Sequence, residues 1–180
     1  MAPGHGNQRN EPAPAVPNGS VGVRIAVAAD HAGHPLKQTV IDDLRGAGYE
    51  VTDLGTNDPT TPSDYPDVAE QVCARVLSAQ ADRGILLCGS GIGMSVAANK
   101  FPGIRAGVCH DTYSAHQAVE HVDMNVLCLG ARVIGADLVG RIVRAFAAAK
   151  YNGEERHGRR LRKIIELEKR FLSPSMTAPI

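Results

Sequence analysis

The chain has 180 residues, 43% of them hydrophobic, and its 19 basic and 19 acidic side chains leave a formal net charge of zero. That balance supplies no overall field for a polyanion, and an aromatic content of 4% without tryptophan offers no base-stacking platform, so nucleic-acid binding is not expected. No apolar stretch approaches bilayer-spanning length, the first residues lack the pattern of a signal peptide, and cysteines 73, 88, 109 and 128 show no metal-ligand spacing, which together point to a cytoplasmic protein with reduced thiols and no membrane partner.

Residues 1–21 are rich in Pro, Gly, Asn and Ala and have almost nothing to bury. They read as a disordered arm ahead of a single domain over 22–172, with 173–180 as a flexible tail. A first buried strand is expected over Val23–Ala29, ending at Asp30-His31-Ala32-Gly33. Pro35 suits the first turn of a helix in which Leu36, Val40, Ile41 and Leu44 recur at helical spacing, stopped by Gly46 and Gly48. Tyr49–Leu54 reads as a second strand and Gly55–Pro66 as a loop. Val68, Ala69, Val72, Cys73, Val76 and Leu77 then form the apolar face of the next helix.

Ile85, Leu86 and Leu87 are an uninterrupted apolar run, the pattern of a strand buried on both faces, and the strand closes at Cys88. Gly89-Ser90-Gly91-Ile92-Gly93 follows and opens a small-residue helix at about Ile92. Its glycines allow a tight bend and close approach to a ligand. Several backbone N–H groups and the positive end of a helix converge there on one anion, whether phosphate, carboxylate or enediolate. Beyond it come a strand over Ile104–Val108, a helix over about Thr112–Glu120, a strand over Asn125–Leu129 and a longer helix over Ala136–Lys150. Tyr151-Asn152-Gly153 breaks that helix, and a last one carries Leu161, Ile164, Ile165 and Leu172 on one side. The alternation predicts a three-layer, Rossmann-like, doubly wound α/β sandwich with a mostly parallel central sheet and an additional C-terminal helix. A helix added after the sheet, with an apolar face, is expected to pack on a second copy, giving a homodimer or a tetramer built from it.

In such sheets ligands bind outside the carboxyl ends of the strands, where Asp30, His31, Cys88, Ser90, His110 and Asp111 fall. Cys88 under the glycine turn is either a base or nucleophile with a stabilised thiolate, or a buried strand thiol. Asp30-His31 suits a proton shuttle or a grip on a sugar hydroxyl, the alternative being an Asx turn beside an exposed histidine. His121 ends a helix within reach of a ligand or a subunit boundary, and His116 reads as helix surface. No tight motif joins them to His110, so no metal is expected. Arg156 and Arg160, four residues apart, suit one phosphate with His157 as a third donor, unless they form a solvated charge run. Arg132 is a further anion contact. A small anionic, polyhydroxylated substrate fits these groups. A base beside backbone donors fits an enediolate pathway without excluding acyl or phosphoryl transfer, and a noncatalytic sugar-phosphate-binding module on the same fold is the other class.

The chain resembles the type B ribose-5-phosphate isomerase family, which includes the galactose-6-phosphate isomerase subunits, over about Val23–Arg170. The resemblance rests on Ala29-Asp30-His31-Ala32-Gly33, Asp64-Tyr65-Pro66, Cys88-Gly89-Ser90-Gly91-Ile92-Gly93, Ala97-Ala98-Asn99-Lys100, Asn125-Val126-Leu127, Gly130-Ala131-Arg132 and Arg156-His157. It implies that Cys88 moves a proton between C1 and C2 of an open-chain sugar with help from Ser90, while the backbone of Gly89, Gly91, Ile92 and Gly93 holds the enediolate oxygen. It implies that Asp30 and His121, the latter from a neighbouring subunit, open the furanose ring. His31, Arg132, Arg156 and Arg160 then bind phosphate across a dimer, Asn99 lies at the substrate, and neither metal nor organic cofactor is needed. The implied substrate pair is ribose 5-phosphate and ribulose 5-phosphate. The family commonly has Asn after the ring-opening histidine; here Val122 stands there, which keeps four-carbon (erythrulose 4-phosphate) and six-carbon sugar phosphates as alternatives.

Overall fold

Five short runs pair side by side in a computed structural model that describes residues 22–55, 58 and 60–172; the expected arm and tail fall outside them. The strands are β1 (Arg24–Ala29), β2 (Glu50–Gly55), β3 (Arg83–Cys88), β4 (Ala106–Val108) and β5 (Val126–Gly130). All pair in parallel, in the order β2-β1-β3-β5-β4. Parallel strands need crossovers, and these are α1 (His34–Gly46), α2 (Tyr65–Leu77), α3 (Ile92–Ala98) and α4 (Thr112–Val122), followed by α5 (Ala136–Ala148) and α6 (Glu155–Phe171).

Side chains alternate across the central strands, and both faces are apolar because both are covered. Ile25, Val27, Ile85, Leu87, Leu127 and Leu129 pack beneath α1, α4 and α5. Ala26, Ala28, Leu86, Cys88, Val126 and Cys128 pack against α2 and α3. The chain leaves β1 for β2 on one side and returns to β3 on the other, so a crevice opens at the carboxyl ends of β1 and β3. Gly33 permits it: a Cβ there would lie 2.2 Å from the Leu87 carbonyl oxygen.

The predicted sandwich is therefore the observed one, with local differences that side chains explain. β4 begins at Ala106 rather than Ile104 because Arg105 turns sideways, its N–H donating to Asn125 Oδ1 at 2.8 Å and its guanidinium pairing with Asp123 at 2.6 Å. α2 starts at Tyr65 with Pro66 in its first turn, so the preceding loop ends earlier than expected. α5 stops at Ala148 rather than Lys150, where the Arg83 guanidinium takes up the carbonyl oxygens of Phe146, Ala147 and Ala149. α6 stands off the sheet. His157 is its buried residue, Glu168 holds it to the Gly103 N–H at 2.8 Å, and Ile164, Leu167 and Phe171 remain exposed. No helix among the described residues is long and apolar enough to cross a membrane.

Candidate active site

Cys88, the last residue of β3, is buried, and its Sγ accepts the Gly91 N–H at 3.0 Å. That donor points inward because Gly91 has φ +82°, a left-handed conformation that glycine adopts without a Cβ penalty. The Ser90 hydroxyl oxygen lies 3.4 Å from the Ile92 N–H. The turn rests on β5, where a Cβ on Gly130 would stand 2.7 Å from the Ser90 carbonyl carbon. Ala131 N–H to Cys88 O (2.8 Å) and Arg132 N–H to Gly89 O (3.0 Å) tie the loop after β5 to the same turn, and the Arg132 side chain runs alongside Gly89. α3 is only seven residues long, so the local N–H groups rather than a long macrodipole supply the positive potential. Burial pushes the Cys73 and Cys109 thiols up to about 11 and the Cys128 thiol well above its usual value. Those three stay protonated at neutral pH.

Asp30 is buried, and its Oδ1 accepts the N–H groups of Ala32 (2.9 Å) and Gly33 (2.8 Å). One oxygen thus makes the Asx turn that opens α1. His31 is exposed; its N–H donates to Ser63 Oγ at 3.3 Å, and its Nδ1 accepts the Ser63 N–H at 3.4 Å, which leaves that nitrogen unprotonated. His110 Nε2 accepts the Gly130 N–H at 3.0 Å. Asp111 Oδ1 accepts the Ser114 N–H at 2.7 Å and caps α4, and that hydrogen bond holds its carboxyl below the usual range. The carboxyl edge of the sheet therefore gathers Asp30, His31, Cys88, Ser90, the 89–93 turn and Arg132.

The remaining expected site residues lie at the opposite edge. α4 runs antiparallel to the strands, so His121 in its last turn sits at their amino ends, and a six-residue strand such as β3 separates the edges by roughly 20 Å. There the rings of His121 and His157 stack with centroids 4.0 Å apart and planes 33° apart. His157 was expected as a phosphate donor. Instead it is 2% exposed, with Nδ1 2.9 Å from Asn152 Oδ1, so it cannot face solvent phosphate. Burial first, and then the charges of His121 and Arg156, lower its proton affinity. Arg156 and Arg160 are exposed on the outer side of the same helix, Arg156 pairing with Glu154 at 2.8 Å. His116 is half exposed beside Glu120, as helix surface should be. Among the described residues no cluster of His, Cys, Asp and Glu is placed to hold a metal ion.

Asn99 also differs from expectation. It ends α3 at the amino edge, its Nδ2 donates to the carbonyls of Ser95 and Ala106, and its Oδ1 accepts the Ala106 N–H, all at 2.9 Å. Within this chain its amide joins α3 to β4 rather than facing the Cys88 turn. Conversely, Tyr65 had no assigned role, yet its ring covers Gly93, where a Cβ would be 3.0 Å from it. The signal was Pro66, whose place in the first helical turn puts Tyr65 at the crevice. Ser63 and Asn152 carry no side-chain signal in the sequence, because their roles come from partners that only the fold brings to them: His31 for Ser63, His157 and Glu120 for Asn152.

A family model described as Ribose/Galactose Isomerase matches residues 25–164. The chain is 45% identical over 147 residues to ribose-5-phosphate isomerase B of Escherichia coli K12, covering 82% of this chain and 97% of that protein. It is 47% identical over 130 residues to D-erythrulose-4-phosphate isomerase of Pectobacterium atrosepticum, covering 72% and 85%. The solved structure of Clostridium thermocellum ribose-5-phosphate isomerase B superposes with a TM-score of 0.79 at 46% identity, covering 82% and 99%.

Proposed function

The chain belongs to the ribose/galactose isomerase family, and we propose that it interconverts ribose 5-phosphate and ribulose 5-phosphate through an enediolate. The observation that carries this reading is the Gly91 N–H donated to Cys88 Sγ at 3.0 Å. Family membership supplies the reaction class, and this hydrogen bond places the Cys88 sulfur, the candidate base, directly beneath the backbone donors of the turn. The Cys88 thiolate removes the proton from C2 of the open-chain aldose. The C2 electrons form the C1–C2 double bond, the C1 carbonyl oxygen becomes the enediolate oxygen, and backbone donors of the 89–93 turn with Ser90 hold it. The proton then returns to C1 as C2 becomes the carbonyl, and the C2 hydroxyl proton passes to the C1 oxygen, a transfer the Ser90 hydroxyl is placed to relay. His31 and Arg132 take part of the phosphate charge, and Asp30 acts at the sugar hydroxyls.

A second copy completes the site, since the partner subunit's His121, the partner's Arg156 and the partner's Arg160 are the missing ring-opening and phosphate groups. Two features support this reading: the separation of the two groups of residues in one chain, and exposed apolar side chains around the carboxyl edge, among them Ile92, Val96, Tyr113 and Val133. The four-carbon alternative is favoured by one residue, Val122 beside His121, which offers no hydrogen bond to a hydroxyl. Turnover on ribose 5-phosphate and erythrulose 4-phosphate, compared as kcat/KM, decides between them. Cys88→Ala should bind substrate but lose most kcat, by a factor on the order of a thousand or more. Turnover unchanged in that variant would remove Cys88 as the base.

A further inference from the structure

The stacked pair His157 and His121 is a built polar arrangement that the proton transfer at Cys88 does not use. His157 is buried at the start of α6, and its imidazole Nδ1 faces the Asn152 amide oxygen at 2.9 Å. An amide oxygen only accepts, so Nδ1 carries the ring proton. Asn152 is itself fastened: its Oδ1 also accepts the Glu154 N–H at 3.1 Å, and its N–H donates to Glu120 O at 3.1 Å. Glu120 directly precedes His121. The turn before α6 and the last turn of α4 are thus locked together, and the His157 ring lies against the His121 ring with centroids 4.0 Å apart. Arg156 precedes His157 on α6, and Arg160 follows three residues later, both exposed.

We propose that His157, held by Asn152, is a positioning residue for sugar ring opening: it fixes the plane of His121 and ties it in register with Arg156 and Arg160. The proposal rests on the isomerase reading above and sharpens it, since it makes the natural aldose a cyclic sugar phosphate. A shape-filling role alone needs no imidazole at this place. A buried ring N–H carries a desolvation penalty that an apolar side chain of similar size would avoid, and here the penalty is met by a dedicated amide acceptor. The stack also sets a distance, because the group that acts on the ring and the arginines that act on phosphate are then parts of one rigid body.

The chemistry assigns this unit to one step. Opening a furanose removes the proton from the C1 hydroxyl and delivers a proton to the ring oxygen; the bond from C1 to the ring oxygen breaks as the C1 carbonyl forms, with no net change in charge. Ribulose 5-phosphate cannot close such a ring, because its 5-oxygen carries the phosphate. A four-carbon aldose 4-phosphate is open for the same reason. Exchange of the C1 hydrogen of ribulose 5-phosphate with solvent therefore needs Cys88 but no ring opening.

The test measures two rates on the full-length protein: turnover of ribose 5-phosphate, and loss of the C1 hydrogen signal of ribulose 5-phosphate in deuterium oxide by NMR. His157→Ala should lower kcat on ribose 5-phosphate about ten- to a hundred-fold, while C1 exchange stays within about threefold of the parent. His157→Phe, which keeps a stacked ring but loses the N–H that Asn152 holds, should recover only part of that loss, and Asn152→Ala should show the same one-sided fall in smaller measure. If His157→Ala does not fold, the Phe and Asn152 variants carry the comparison, since parental C1 exchange shows an intact site. Equal loss of both rates would make His157 a purely structural residue, and no loss of either would make the stack idle; each result overturns the proposal. A parent that turns over ribose 5-phosphate slowly yet exchanges C1 rapidly would also overturn it, because ring opening would then lack a built catalyst. A parent showing neither activity would sink the isomerase reading, and the inference with it.

Discussion

Gly91→Ala removes no functional group, yet it should damage both the fold and the reaction. The position has φ +82°, a conformation that costs a residue with a Cβ about 1 to 2 kcal/mol. The new Cβ would stand 3.1 Å from the Leu129 carbonyl carbon and 3.3 Å from both the Leu129 nitrogen and Val108 Cγ1, so the turn must give by a few tenths of an ångström. Overpacking of that kind adds about 1 kcal/mol or more, for a stability loss of roughly 2 to 4 kcal/mol. The same movement draws the Gly91 N–H away from Cys88 Sγ. A hydrogen bond to a charged acceptor is worth about 1.5 to 3 kcal/mol, which corresponds to about a ten- to hundred-fold fall in kcat if the bond is lost on the way to the transition state. The assay is steady-state isomerisation together with thermal unfolding. Gly46→Ala is the control: that glycine ends α1, nothing lies within 4 Å of its Cβ position, and alanine there should be neutral or slightly stabilising. Parental kcat in Gly91→Ala would refute the assignment of the Gly91 N–H to the catalytic sulfur.

Arg83→Met should remove the guanidinium that lies 5.2 Å from the Phe146 ring centroid and leave the carbonyls of Phe146, Ala147 and Ala149 without their donor. A loss of roughly 2 to 4 kcal/mol is expected, seen as a Tm lower by about 5 to 15 °C; an unchanged Tm would mean that water replaces the guanidinium freely. Asn99→Ala removes three side-chain hydrogen bonds to the backbone, two to Ala106 of β4 and one to Ser95 of α3, and should lower stability by about 1 to 3 kcal/mol, read from urea unfolding; a variant as stable as the parent would rule out a structural role for that amide. His157 carries a folded-state proton affinity below its usual 6.5, so below that pH the unfolded chain binds a proton that the native chain refuses. Its contribution therefore turns unfavourable as pH falls through about 6.5. Urea midpoints of the parent should fall more between pH 7 and pH 5 than those of His157→Phe, and parallel curves would contradict the assignment.

The sheet was legible because its central strands are fully covered: Ile85, Leu86 and Leu87 can belong only to a strand with helices on both sides. The turn after it was legible from glycine spacing, whereas the proximity of Arg132 depends on β5 lying beside β3, a strand order that only the structure shows. The short β4 was not, since Ile104 and Arg105 look like strand residues until Arg105 is seen bonded sideways to Asp123 and Asn125. His157 was misread for a related reason. Beside Arg156 and Arg160 it looks like part of a basic cluster, and only the packing of α6 on α4 turns it inward. Asn99 lies in a motif that carries the family resemblance, yet its bonds join α3 to β4.

The placement of Cys88 and His121 at opposite edges of one sheet also has a genetic meaning. In the proposed dimer each site draws its thiol from one chain and its imidazole from the other. A chain defective at Cys88 and a chain defective at His121, each inert with copies of itself, would form mixed dimers in which one site inherits both defects and the other neither. Random pairing of equal amounts should return about a quarter of the normal activity. Two defective alleles could thus complement each other within one cell, whereas two different lesions at the same edge would not.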